Sequence, residues 1–422
     1  MNRKIILSCC IFTVLLLLIY MAATSNSTDD KFSKSQDFSK SEIKNMRRFR
    51  DVFVHLDLKG APPKIDYLEK ILGELERYAV DGILIEYEDM FPFWGEIEEI
   101  KREDSYSKKA IQRINEIAFE RNLEVIPLLQ TFGHLEFVLK HSKYQNLSEN
   151  PFELNTICIT EPKSFEILNE MLRQIRLLHP NSTRIHIGSD EAYHIAEDER
   201  CLNRMKNEQL MKSDIKLKHI SKTALMAKSL GFSEIFAWND MFDKESEESI
   251  KKVNLHKLIT PVVWGYSTDV TTPGYFPDGL FDRIYNVFEK YYIASAFKGA
   301  NGINQQFLNI SRYIENHQSY VKLLENHRKS ATKMNGIFVT GWSRFAHSSP
   351  FCEILPVSIP SLIANLLYIN FEPQNKREIW RLLKEKLKCH IPHMVKGIQS
   401  ERVLENCDFE GIEVFRTFSI KK

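Results

Sequence analysis

Glycine is scarce in this chain, 16 of 422 residues, and the first apolar run of its main body passes into HLDLKGAPP, with no Gly-rich phosphate loop. That absence counts against a doubly wound nucleotide-binding sheet, which usually carries such a loop after its first strand. An excess of charge is lacking too. Lys+Arg number 57 against 56 Asp+Glu, and no basic patch with interleaved aromatics occurs, so nothing points to a nucleic-acid partner. The seven cysteines show no metal-type spacing. No metal is therefore expected. Two of them, Cys9 and Cys10, fall in an apolar segment. Among Cys158, Cys201, Cys352, Cys389 and Cys407 one disulfide is expected, Cys389 with Cys407.

Charge-free apolar runs of 19 residues or more are also missing, with one exception at the N-terminus. Residues 5–23 hold 19 residues without a charge, preceded by Arg3 and Lys4. At about 1.5 Å per residue such a run spans a bilayer core, and its basic flank assigns residues 1–4 to the cytoplasm. It reads as a transmembrane signal anchor, with a cleaved signal peptide as the alternative. The expectation is a single-pass type II protein of the Golgi or another secretory-pathway membrane, its catalytic part lumenal, or else a secreted protein. Asn-x-Ser/Thr sites at Asn26, Asn146, Asn181 and Asn309 permit a glycoprotein. Residues 24–50 are polar and read as a stalk.

Beyond residue 50 one pattern returns eight times, a short apolar run followed by a loop and an amphipathic stretch. The runs are DVFVHLDL, GILIEYE, LEVIPLLQ, RIHIG, EIFAW, LITPVVWG, YYIASAF and GIFVTGW. Between them apolar residues recur at helical spacing, as in Leu68, Ile71, Leu72 and Leu75, or Leu168, Leu172 and Ile175; a later set is Ile215, Ile220, Leu225 and Leu230. Eight such strands alternating with helices predict an α/β (β/α)₈ TIM barrel over 51–370, with a C-terminal helical extension over 371–422.

Active sites of such barrels gather at the C-terminal ends of the strands. Those ends carry Asp57, Glu86, Gln130 with His134, Asp190 with Glu191, Trp238 with Asp240, Trp264 with Tyr266, and Trp342. Acids ringed by tryptophans suit a sugar, whose ring faces stack on aromatics while carboxylates take hydroxyls and the scissile oxygen. Most glycosidases set two carboxylates on opposite sides of the bond, about 5–9.5 Å apart. Neighbours on one strand end cannot flank a ring that way. An acid with an adjacent helper carboxylate instead suits substrate assistance, in which a 2-acetamido oxygen attacks its own anomeric carbon.

The stretch HIGSDEAYHI resembles the His-x-Gly-Gly-Asp-Glu signature of the family 20 glycoside hydrolases, the β-N-acetylhexosaminidases. HLDLKGAPPK, LIEYEDMFP, EVIPLLQTFGHLEFVLKH, ASAFKGA and TGWSRFAH extend the resemblance across residues 50–370. It implies Glu191 as general acid/base and Asp190 as the residue that orients the acetamido group. His134 matches a family histidine, Trp238, Trp264 and Trp342 the walls of the acetamide pocket, and Tyr266 the hydroxyl on the acetamido oxygen. Larger members bind sugar hydroxyls with an arginine on the first strand. This chain has Asp57 and Lys59 there, so Asp57, Glu86 and Asp240 are the stand-ins. Ser189 replaces a signature glycine, which matters if that position needs positive φ. The resemblance implies a cofactor-free exo-β-N-acetylhexosaminidase acting on GlcNAc- or GalNAc-terminated glycans of glycoproteins, its acid raised in pKa, and the apolar N-terminal run adds a membrane anchor to that expectation. The competing readings are an inactive glycan-binding protein on the same fold and a metal-dependent barrel hydrolase.

Overall fold

Each of the eight apolar runs forms a strand, and the strands pair in parallel, in chain order, into a closed barrel. They are β1 (Asp51–Asp57), β2 (Gly82–Glu86), β3 (Glu124–Leu128), β4 (Arg184–His186), β5 (Glu234–Trp238), β6 (Thr260–Trp264), β7 (Tyr291–Lys298) and β8 (Met334–Gly341). Closure sets Val54 of β1 beside Val339 of β8. These features come from a computed structural model, which describes residues 39–373, 375–390 and 400–419.

Successive side chains on a strand point to opposite faces, and here both faces are covered. On β1, Val52, Val54 and Leu56 join the shell between strands and helices. Phe53 packs instead with Leu84, Ile126, Phe236, Val262 and Phe338 inside the barrel. Two apolar faces are why the strands read as continuous runs rather than as alternation.

The outer helices bury one stripe each. Helix Ile65–Arg77 buries Leu68, Ile71, Leu72 and Leu75. Helix Pro162–Leu178 begins with proline, whose missing N–H would be unpaired there in any case. Helix Lys212–Ser229 departs from its expected face. Ile215 and Ile220 are buried but Leu225 is half exposed, because two five-residue steps carry it about 280° round from Ile215, beyond the arc the buried residues cover. Leu217, His219, Thr223, Ala224 and Ala227 complete the inward face. Helix Leu355–Phe371 is apolar nearly all round, and helices Lys376–Lys386 and Ile412–Ser419 pack on it. The Cys389–Cys407 disulfide closes this C-terminal segment.

The barrel unit begins at Met46, a little before the expected boundary of 51. Phe49 is buried, and the enclosed Arg47 guanidinium donates to Ala79 O at 2.7 Å and pairs with Asp81. Within the expected stalk, Lys40–Met46 is helical. The membrane placement does not stand. No helix among the described residues is long and apolar enough to cross a membrane, and the 5–23 run lies outside them. The Golgi-type location with its single-pass anchor is therefore dropped.

Candidate active site

Strand β4 ends at His186 because the chain then turns through left-handed backbone. Gly188 has φ 61°, Ser189 φ 68° and Glu191 φ 46°. Non-glycine residues in that region cost about 1–2 kcal/mol each, so side-chain contacts must hold the turn. Ser189 Oγ supplies two, to Ile187 O at 3.3 Å and Thr131 Oγ1 at 3.1 Å. The position does need positive φ, and serine fills it with hydrogen bonds that glycine could not make.

The β3 loop comes up against this turn. A Cβ on Gly133 would lie 2.2 Å from the Asp190 carbonyl oxygen, so only glycine allows the approach. The next residue, His134, thereby places Nε2 3.1 Å from Glu191 Oε2 and 3.6 Å from Asp190 Oδ2. Asn155 ties the same two segments. With its amide oriented to satisfy both neighbours, it accepts from His134 N at 3.2 Å and donates to Glu191 O at 3.1 Å. Asp240 braces the other side, accepting Glu191 N at 2.9 Å and Trp264 Nε1 at 3.0 Å.

Burial, with the charges of Asp240 and Glu191 beside it, pushes the Asp190 carboxyl up to about 8 although His134 opposes the shift. Burial would lower His134, but the surrounding acids, Asp190 first, hold it up to about 10. Burial also works to raise Glu191, yet hydrogen bonds from His134 and Tyr193 outweigh it and hold the carboxyl below its usual range. The expected raised acid is thus found at Asp190 rather than Glu191.

A cavity of about 490 Å³ opens over this group, lined by His134, Asp190, Glu191, Trp238, Trp264, Tyr266 and Trp342. Trp264 lies near-parallel to Tyr266 at 5.4 Å between ring centroids, and Trp342 stands 6.4 Å from Tyr266 and 5.9 Å from Trp238. Within the protein, Asp190 Oδ1, Trp238 Nε1 and Trp342 Nε1 are buried without hydrogen-bond partners. Two donors and an acceptor around an apolar-walled space can pair with an amide or with hydroxyls.

Three expected residues do not line that cavity. Asp240 acts behind it, as described. Asp57 and Glu86 are buried around Lys59, whose Nζ lies 3.2 Å from each and 3.6 Å from Glu88. Glu86 also meets His55 Nε2 at 3.1 Å, and Asp57 accepts Ser343 N at 2.7 Å. The cavity is lined as well by Lys59, Asn155, Tyr193, Arg312 and Arg344, which did not figure among the expected site residues. Arg344 follows Trp342 at the end of β8 and so had a positional signal. Asn155 and Arg312 had none, since their place depends on how long loops and helices fold back.

A carboxylate pair and a wall of indoles at the C-terminal mouth of an eightfold barrel define a glycoside hydrolase. The chain belongs to glycosyl hydrolase family 20, whose catalytic domain matches residues 86–354. It is 36% identical over 336 residues to hexosaminidase D of Bos taurus, covering 78% of this chain and 96% of that protein. Identity to hexosaminidase D of Homo sapiens is 35% over 341 residues, covering 79% and 69%. Its fold is similar to a β-N-acetylhexosaminidase from Bacteroides fragilis, with TM-score 0.57, 14% identity, and coverage of 81% and 70%.

Proposed function

We propose that the cavity binds a terminal β-linked N-acetylhexosamine, GlcNAc or GalNAc, and that the enzyme releases it from glycoconjugates with retention of configuration. One observation carries the mechanism. Among the described residues, Asp190 and Glu191 are the only carboxylates lining the cavity, and they are adjacent in the chain. No carboxylate faces them across the cavity to act as nucleophile. The attacking group is then the substrate's acetamido oxygen, which displaces the leaving oxygen at the anomeric carbon. Glu191 protonates that oxygen, and Asp190 accepts the acetamido N–H and steadies the positive charge of the cyclic intermediate. Water opens the intermediate after giving a proton to Glu191.

This chemistry needs Asp190 ionised and Glu191 protonated, the reverse of the preference in the free site. His134 reconciles the two. An acetamido N–H donated to Asp190 favours its anion, and the displaced proton reaches Glu191 through His134 Nε2, within 3.6 Å of both carboxylates. Trp238, Trp264 and Trp342 wall the acetamido methyl, and Tyr266 donates to the acetamido oxygen. Lys59 and Arg344 line the same cavity and are candidate donors to ring hydroxyls.

The test compares aryl β-GlcNAc, β-GalNAc and β-glucoside hydrolysis by the full chain and by Glu191→Gln. Cleavage of the acetamido sugars alone, lowered about 10²–10⁴-fold in the variant, is expected. Comparable cleavage of the β-glucoside overturns the mechanism.

A further inference from the structure

A second cluster, outside the cavity's lining, takes no part in the reaction. Cys158, on the β3 loop, and Cys201, on helix Glu199–Glu208 after β4, are both fully buried. Their Sγ atoms are 3.2 Å apart. Cys201 Sγ donates to Glu149 Oε1 at 2.6 Å, and Thr160 Oγ1 lies 3.1 Å from the same sulfur. The other carboxylate oxygen of Glu149 accepts the backbone N–H groups of Glu197 and Asp198, where that helix begins.

Two sulfurs this close are inside van der Waals contact, which leaves two ways to relieve the approach. A shared zinc would hold each thiolate about 2.3 Å away, setting the sulfurs farther apart than they are. Among the described residues only three strong donors converge here, and one of them, Glu149, is committed through its second oxygen. A covalent bond of about 2.05 Å needs only a further closing of the pair. We propose that Cys158 and Cys201 form a disulfide that ties the β3 loop to the segment following Glu191.

The oxidant is a low-molecular-weight disulfide such as oxidised glutathione. One protein thiolate attacks it, forming a mixed disulfide and releasing one glutathione. The second cysteine, its proton passing to Glu149, attacks the protein sulfur of that mixed disulfide and releases the other glutathione. Two protein thiols are oxidised, one glutathione disulfide is reduced, and both protons end on the released thiols. Access comes from the helix itself. Its sequence, ERCLNRMKNE, is strongly polar and Cys201 is its one buried residue, so local opening exposes the pair. The bond matters because Asn155 and Cys158 belong to one loop, and Asn155 holds both His134 and Glu191.

The test uses the full chain, held reduced or incubated with oxidised glutathione, then alkylated under denaturing conditions and digested without reduction. The expected product is a cross-linked Cys158–Cys201 peptide, while Cys352, whose sulfur meets only the carbonyls of Gly302 and Ile303, stays alkylated. Thermal unfolding should rise by several degrees on oxidation and return with dithiothreitol. In Cys201→Ser only the part of the shift that comes from Cys389–Cys407 should remain, and Cys158 should carry glutathione. Free or separately glutathionylated thiols at both positions in the wild type would overturn the proposal. So would stoichiometric zinc bound to the reduced protein and lost from Cys158→Ser.

Discussion

The carboxylate of Asp240 accepts the backbone N–H of Glu191 at 2.9 Å, and its second oxygen takes the indole N–H of Trp264 at 3.0 Å. One buried side chain thus fixes both the Glu191 backbone and the Trp264 indole at the cavity. Asp240→Asn keeps the volume but turns an amide N–H₂ toward one of those two donors. The expected result is a fall in kcat/KM of about 10–100-fold with the fold retained. Steady-state kinetics alongside thermal unfolding would show it, and an unchanged kcat/KM would remove Asp240 from the positioning role.

Gly133 is the second lever on the same geometry. A methyl group there must displace the Asp190 backbone, since its Cβ would fall 2.2 Å from that carbonyl. Gly133→Ala should destabilise the protein by about 1–3 kcal/mol in denaturant unfolding. It should lower kcat more than it raises KM, because the loop moved is the one that carries His134.

The proton distribution gives a pH prediction. Asp190, at about 8, and His134, at about 10, both lie above their unfolded values, so each adds stability that is lost as pH rises through its folded pKa. The site should therefore lose stability between about pH 4 and pH 10. The kcat/KM profile should also fall on its basic side near pH 8, where the carboxyl pair gives up its shared proton. His134→Ala removes the nearby positive charge, which raises both carboxyls. The basic limb should move to higher pH while kcat drops about 10²-fold.

The barrel was legible because burial on both faces makes parallel strands into unbroken apolar runs, and a polar residue ending such a run marks the rim. That rule places Asp190, Glu191, His134 and the three tryptophans at one mouth of the barrel, and they line one cavity. Loop and helix placement was not legible. Asn155 and Arg312 reach the cavity through segments whose course no local pattern sets, and Tyr193 hydrogen-bonds Glu191 while remaining largely exposed. Asp57 and Glu86 were found at the rim, but their partner Lys59 could not be inferred, since ion pairing across strands has no sequence period.

That pairing yields the most demanding prediction. Lys59 Nζ sits among Asp57, Glu86 and Glu88, all buried, and its own pKa is held well above the usual value because these acids outweigh the cost of burial. Glu86 also loses by burial, but Lys59 and then His55 hold its carboxyl well below the ordinary range. Its contribution to stability is accordingly present above the unfolded carboxylate pKa and lost as the solution turns acid. Lys59→Met leaves three buried carboxylates without their central cation, a change of about 3–5 kcal/mol. On acidification from pH 7.5 to pH 5 the variant should gain more stability than the wild type, as the unpaired acids take up protons. Urea midpoints at the two pH values would show this directly. If the variant instead kept its midpoint and only KM rose, Lys59 would act through the sugar alone, and Asp57 and Glu86 would again be candidates for direct contact with substrate.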